Sequence, residues 1–469
     1  MLRNAAIVLI LALSAAHARS EETRSAIDRY MQLEMRRQEI PGASLAIIKN
    51  GRPFYVKSYG VATLEHRVLT SPKTVFQIGS VGKQFTAVAI VLLANEHKLH
   101  LDDPVSKYLP ELPDSWSHVT LRLMLNHQSG IAQFTTPERQ LLDLAHDYTD
   151  SELIRLAASQ PLDFEPGSDV SYSDTGYVLL GVVINRVAGM FYGDFLQQRV
   201  FIPLGMTHTQ VISDADIIAN RASGYERSAN GRLRNQTAVS PALNRTADGS
   251  IYSTVLDLMK WDRALDGDAV LPHAQLERMW RIDAHQNGQP PLYHYGYGWE
   301  SDVLRGHRLI EYDGNWQGFQ AVMSRYPDAK ISVILLTNLA LCRTERLAHT
   351  VVGMVDPSLA PYAEAAHDSN PRLTAQFKLL LDKAAAGIKL HDEMTDTALS
   401  RLVPSAMNTL HRDLRELGTI TRYSLAEEGA HSLPLQRVYR VEGNAMVEFY
   451  AARYGDDLRI EDLDLFREF

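Results

Sequence analysis

The placement of strand-forming residues constrains this chain most. Residues 44–48 and 54–58 are two β-prone runs around Lys49-Asn50-Gly51-Arg52, whose Asn-Gly pair suits a tight hairpin. A second such pair, residues 319–325 and 331–337, lies far down the chain around Pro327-Asp328. Between them the sequence is mostly helical and loop-rich. Strands at both ends with helices between predict an α+β fold, an antiparallel sheet built from both termini of a domain and covered by helices.

At 469 residues the chain is longer than one hydrophobic core usually organises. Asp356-Pro357-Ser358-Leu359-Ala360-Pro361 reads as an exit from the first domain and Asp368-Ser369-Asn370-Pro371 as a linker. The spacing beyond it predicts helices over 373–386 and 405–417. Short strands follow, with turns at Glu442-Gly443-Asn444 and Tyr454-Gly455-Asp456. The expected organisation is a main domain over 19–365 and a smaller α+β domain of helices and an antiparallel meander over 371–469, with no catalytic pattern in the latter.

The first residues, Met-Leu-Arg-Asn, precede an apolar run over 5–16 and the small-x-small triplet Ala16-His17-Ala18. That order reads as a signal peptide over 1–18, with an apolar stretch too short to span a bilayer; the alternative is a buried N-terminal helix. The expectation is a periplasmic or secreted protein with no membrane span once the signal is removed. Cys342 is the only cysteine, so no intramolecular disulfide can form, and it reads as packing. With 47 Lys and Arg against 56 Asp and Glu, the net charge of −9 and the lack of a basic stripe argue against nucleic acid as a partner. The histidines show no metal-ligand spacing and no Gly-rich phosphate loop follows a strand, so no cofactor or metal is predicted.

Chemistry concentrates in a few motifs. Phe76-Gln77-Ile78-Gly79-Ser80-Val81-Gly82-Lys83 holds the only Ser-x-x-Lys, and the apolar residues 86–94 continue it as a buried helix. Ser80 and Lys83 then stand one turn apart on one face, where an amine can take the proton of a serine nucleophile. By itself this pattern also fits a helix-start serine and a lysine reaching the surface. Tyr172-Ser173-Asp174 offers a phenol for acid–base work, on the expectation that the Lys83 cation lowers its pKa.

Taken together, these segments resemble the penicillin-binding-protein and class C β-lactamase family over roughly residues 25 to 345. The resemblance also runs through Leu101-Asp102-Asp103-Pro104-Val105 with Tyr108-Leu109-Pro110, through Leu125-Asn126-His127-Gln128-Ser129-Gly130, and through Glu165-Pro166-Gly167. It continues in Pro203-Leu204-Gly205-Met206 with Thr209, in residues 247–254 with Asp257, and in Tyr297-Gly298-Trp299. It implies acyl transfer through Ser80 on esters, amides or peptides, that is, a small-molecule or peptide substrate. Ser80, Lys83 and Tyr172 would be catalytic, and the N–H groups of Ser80 and Asn315 an oxyanion hole.

Two positions depart from the family. Asp174 stands where Asn is usual, which removes an amide donor and places a carboxylate beside Lys83, so that Lys83 becomes a fixed charge and Tyr172 the base. In Tyr312-Asp313-Gly314-Asn315, Tyr312 replaces a cation or imidazole while Gly314 is kept, so a charge for a substrate carboxylate is missing. Asp174, Tyr312, Gly314 and Asn315 are the expected substrate-binding residues, and His127 reads as structural. The competing reading is a non-catalytic binding or scaffolding protein that retains the fold.

Overall fold

A computed structural model describes residues 2–469 except 137–139, 214, 229, 287, 289–293, 361–365, 389, 391, 396–397, 400–409, 412–413, 416, 429–435, 444–446, 456 and 466–469. Of the predicted helix over 405–417, residues 410–411, 414–415 and 417 are described and helical, with Leu410, Leu414 and Leu417 buried, while its other residues and the tips of the turns at Asn444 and Asp456 lie outside the described residues. The chain divides into two compact units, Met1–Thr344 and Glu345–Phe469. That division falls ahead of the exit read at residues 356–361.

The first unit opens with α1 (Leu2–Arg37), a single 36-residue helix. No glycine or proline interrupts the chain ahead of Pro41, so the helix runs unbroken through this stretch. Hairpin β1 (Gly42–Lys49) and β2 (Arg52–Thr63) follows. Its turn places Asn50 and Gly51 at φ 54° and 69°, the two positive angles of the tight hairpin that Asn-Gly favours. The short β3 (Val68–Leu69) pairs with β2. Late in the unit come β4 (Glu300–Leu304), β5 (His307–Trp316), β6 (Phe319–Tyr326) and β7 (Ile331–Thr337).

These strands form one antiparallel sheet in the order β3-β2-β1-β7-β6-β5-β4. The two ends of the domain meet where β1 pairs with β7, with Ala46 opposite Ile334. Strands β6 and β7 are buried along their whole length, which accounts for the apolar runs Ala321-Val322-Met323 and Val333-Ile334-Leu335-Leu336 at their centres. Helices pack over the sheet around α2 (Lys83–Asn95), whose Phe85, Val88, Ile90 and Leu93 are fully buried. Beside it runs α3 (Asp174–Ala188), capped by the Ser173 hydroxyl, which accepts from the Gly176 N–H at 3.1 Å.

Several family-like segments prove to be joints of this scaffold. Asp102 accepts from Arg122 at 2.6 and 2.9 Å, and Arg122 donates on to the Tyr297 hydroxyl. Asp257 accepts from His208 N–H at 2.7 Å and from the Thr209 hydroxyl at 3.1 Å, which ties two distant motifs together.

The second unit holds α4 (Pro371–Ala385) and a four-stranded antiparallel meander, β8 (Ile420–Glu428), β9 (Gln436–Gly443), β10 (Val447–Tyr454) and β11 (Ile460–Leu465). It has its own core, in which Phe377 stacks on Tyr439 with ring centroids 4.1 Å apart. Among the described residues no single helix is long and apolar enough to cross a membrane.

Candidate active site

Ser80 lies in a 3-10 turn, Gly79–Gly82, that runs directly into α2. The turn is pinned from behind by Ile78 N–H, which donates to Ile251 O at 2.9 Å. In front it is met by β5 so closely that neither side has room for a side chain. A Cβ on Gly314 would come 2.1 Å from Ile78 O and 2.7 Å from Ser80 N, and a Cβ on Gly79 would come 2.7 Å from Asn315 N. Gly79 also holds a φ of 53°. Two glycines thus let the peptide groups of Ser80 and Asn315 share one small region, the place where the family resemblance implies an oxyanion hole.

Lys83 is fully buried at the start of α2. Its Nζ donates to Ser80 Oγ at 3.0 Å, to Asp174 Oδ1 at 2.7 Å and to the Asp248 carbonyl oxygen at 2.5 Å. Three acceptors match the three protons of an ammonium, and a buried charge persists only with such pairing. The Nζ also lies 4.8 Å from the Tyr172 ring centre and 5.4 Å from that of Tyr177, over aromatic faces that favour a cation.

Asp174 is the first residue of α3, where a helix N-terminus favours negative charge. Burial works against its ionisation, but the charge and hydrogen bond of Lys83 and a bond from Tyr172 outweigh it, and the carboxyl is held below its usual range. Its side chain keeps 40% exposure on the other side. The Tyr172 hydroxyl stands 2.6 Å from Ser80 Oγ and 2.9 Å from Asp174 Oδ1. Here the structure corrects one expectation: the Tyr172 phenol is pushed well above its ordinary pKa, not below it. Burial and the Asp174 carboxylate raise it, and the Ser80 hydrogen bond only partly offsets them. At rest Tyr172 is a neutral phenol.

Along β5, Tyr312 and Gly314 face the helices, while Asn315 points to the opposite face by strand alternation. The Asn315 amide donates to Gln320 Oε1 at 2.7 Å, so Asn315 can serve the site only through its backbone. Tyr312 is 2% exposed and its hydroxyl lies 3.3 Å from His127 Nε2. It was expected to stand at the substrate; its hydroxyl instead has a partner within the fold.

His127 Nδ1 accepts the Ser173 N–H at 3.0 Å, which places the proton on Nε2 facing Tyr312. Burial, with a contribution from Lys83, lowers its pKa to about 3, so the ring is neutral and packs on Tyr172 and Tyr295. It positions the Tyr172–Asp174 segment, a structural role.

Two residues at the site escaped the sequence reading. Gln133 holds Asp174 at both ends, accepting its N–H at 2.9 Å and donating to Oδ2 at 3.4 Å. Asp248 supplies the Lys83 acceptor, and its own carboxyl is raised to about 6 by burial and by Asp174, against the pull of Lys83. The segment around it is wedged between helices: Thr86 of α2 donates to Ala247 O at 2.7 Å, and a Cβ on Gly181 of α3 would come 2.5 Å from the Ala247 side chain.

The serine, buried lysine and tyrosine joined by hydrogen bonds, and the sheet closed by both ends of the domain, lie within a stretch of sequence that a family profile matches. The Beta-lactamase profile fits residues 24–349. This chain belongs to the Beta-lactamase family. It is 30% identical over 308 residues to penicillin-binding protein 4* of Bacillus subtilis, a match covering 62% of this chain and 66% of that relative, just under two thirds of its length. A D-amino acid amidase from Ochrobactrum anthropi SV3, complexed with D-phenylalanine, superposes with a TM-score of 0.61 at 25% identity, over 73% of this chain and 98% of that one. An octameric penicillin-binding protein homologue from Pyrococcus abyssi shares the fold with a TM-score of 0.63 at 24% identity, over 92% of this chain and 90% of its own.

Proposed function

We propose that the chain is a serine hydrolase in which Ser80 attacks a carbonyl, an acyl-enzyme forms and water releases it, and that its substrates are esters or amides without a carboxylate at the recognition end. The observation that carries the reading is that Ser80 Oγ is hydrogen-bonded to both Lys83 Nζ and the Tyr172 hydroxyl. A nucleophile with two polar groups bonded to its oxygen is the arrangement that acyl transfer needs, and a scaffold protein has no use for a buried cation held there.

The substrate preference follows from charge. Lys83 is paired with Asp174, Asp248 adds a second carboxyl, and Tyr312, a neutral residue, occupies the position at which the family resemblance implies a cation for a substrate carboxylate. A charge-assisted bond to such a carboxylate contributes about 1.5–3 kcal/mol, so its loss corresponds to roughly one to two decades in kcat/KM. Neutral esters and amides, and acyl groups carrying an amine, are not penalised. The likeness to a D-amino acid amidase supports this class. The reading includes export to the periplasm or beyond, supported by the order of charged, apolar and small residues over 1–18.

A fluorophosphonate probe tests the reaction: covalent mass on the Ser80 peptide, abolished in Ser80→Ala at unchanged thermal stability, is the expected result. No adduct on the folded parent would remove the hydrolase reading. Kinetics on a butyrate ester, a D-amino acid amide and a chromogenic cephalosporin test the substrate class, with the cephalosporin expected to be the poorest.

A further inference from the structure

The hydrogen bonds around Ser80 have one consistent direction. Lys83 Nζ has three oxygen neighbours, Asp174 Oδ1, the Asp248 carbonyl and Ser80 Oγ, which match the three N–H groups of an ammonium, so Lys83 donates to Ser80 Oγ and does not accept from it. An ionised carboxylate only accepts. Tyr172 has a single proton and two close oxygens, Ser80 Oγ at 2.6 Å and Asp174 Oδ1 at 2.9 Å. Were that proton turned to Ser80, the Tyr172 and Asp174 oxygens would face each other with none between them. Tyr172 therefore donates to Asp174, and Ser80 donates to Tyr172. We propose that Asp174 is the terminal proton acceptor of acylation, drawing the Ser80 proton through Tyr172 while Lys83 remains a fixed cation. The proposal rests on the hydrolase reading above.

The step balances. The Ser80 O–H bond breaks as Oγ bonds the carbonyl carbon, and the carbonyl electron pair moves to its oxygen beside the Ser80 and Asn315 N–H groups. The Ser80 proton passes to Tyr172, whose own proton passes to Asp174 Oδ1, giving a carboxylic acid. Collapse returns both: Tyr172 protonates the leaving group and is refilled from Asp174. A neutral phenol at rest is what such a relay requires, since a phenolate would need no carboxylate behind it. The groups facing Asp174 are Lys83, Tyr172 and Gln133 by contact, with neutral His127 and the carboxyl of Asp248 close by.

The test is the pH profile of Ser80 labelling by a fluorophosphonate, whose fluoride leaves without a proton. It is run on the full chain as parent, Asp174→Asn, Asp174→Glu and Tyr172→Phe, each also with Asp248→Asn so that Asp248's own titration is not mistaken for Asp174's. With the acceptor or the relay removed, only Lys83 remains to take the proton. Asp174→Asn and Tyr172→Phe should both label at least about tenfold more slowly at pH 7, with the acid limb moved more than about one unit to the alkaline side. Asp174→Glu should keep the parent's limb. Any other pairing in a folded variant, including a limb that stays in place or a rate that does not fall, overturns the relay. Failure of the parent to label would instead remove the hydrolase reading on which it rests.

Discussion

Asp248 is the residue whose chemistry the site does not otherwise explain. Its Oδ1 is buried without a hydrogen-bond partner among the described residues, and burial and the Asp174 carboxylate push its carboxyl up to about 6. Raised above the ordinary value of about 3.9, it makes the native state bind more protons than the unfolded chain between those values. Stability from this group is therefore present at about pH 4 and lost as pH rises through about 6, a span equivalent to at most roughly 3 kcal/mol. Asp248→Asn should raise the melting temperature at pH 7.5 and leave it unchanged at pH 4, measured by calorimetry at both values; equal shifts at the two would show that the carboxyl is not strained. Asp248 lies in the family-like segment 247–254 but receives no role from it, and nothing in the sequence marks Gln133, because each acts through neighbours brought together from distant segments. Ser80, Lys83 and Tyr172 were legible because each belongs to a short motif whose spacing is itself the geometry. The direction of Tyr172's shift was not, since a motif names a nearby cation but not the burial and the carboxylate that outweigh it.

At the scale of elements, four of the sheet's seven strands were legible as two hairpins, since the turn residues and the β-prone runs beside them determine strand and turn locally, whereas β3, β4 and β5 were not. The joining of β1 to β7 followed from burial, because two apolar hairpins in one domain need a common core. What no local pattern conveys is how near β5 comes to the nucleophile turn. Gly314 carries that contact: the 2.1 Å approach of a Cβ to Ile78 O is to backbone, which cannot rotate away. Gly314→Ala should push β5 off the turn, costing about 1–3 kcal/mol of stability by overpacking. The displaced N–H of Asn315 should lower kcat by about 10²–10³-fold, as loss of one oxyanion donor does. Steady-state kinetics with a denaturant melt checks both, and an active, stable variant would show that the two backbones have more room than this packing allows.

At the scale of the whole molecule, the family resemblance covers the first unit, and the second is legible only as a composition of helix and short strands. Its residues 400–409 are not described, yet its core is well defined: Leu373, Phe377, Leu380 and Leu381 of α4 pack on Tyr439, Val441 and Tyr450 of the meander. The first unit's apolar cluster contains none of these residues, drawing instead on the sheet, α2 and α3. Two cores without shared members melt as two cooperative units when each is large enough to fold around itself. Phe377 is fully buried and stacked on Tyr439, so Phe377→Ala removes a ring whose loss costs about 3–5 kcal/mol. Calorimetry of the full chain should resolve two transitions, and the substitution should lower only one of them. Fluorophosphonate labelling of Ser80 should continue at the parental rate up to the melting of the other transition, because Ser80, Lys83, Tyr172 and Asp174 all take their partners from the first unit. If both transitions fell together and labelling fell with them, the two cores would be one cooperative structure, and the second unit would belong to the enzyme's machinery.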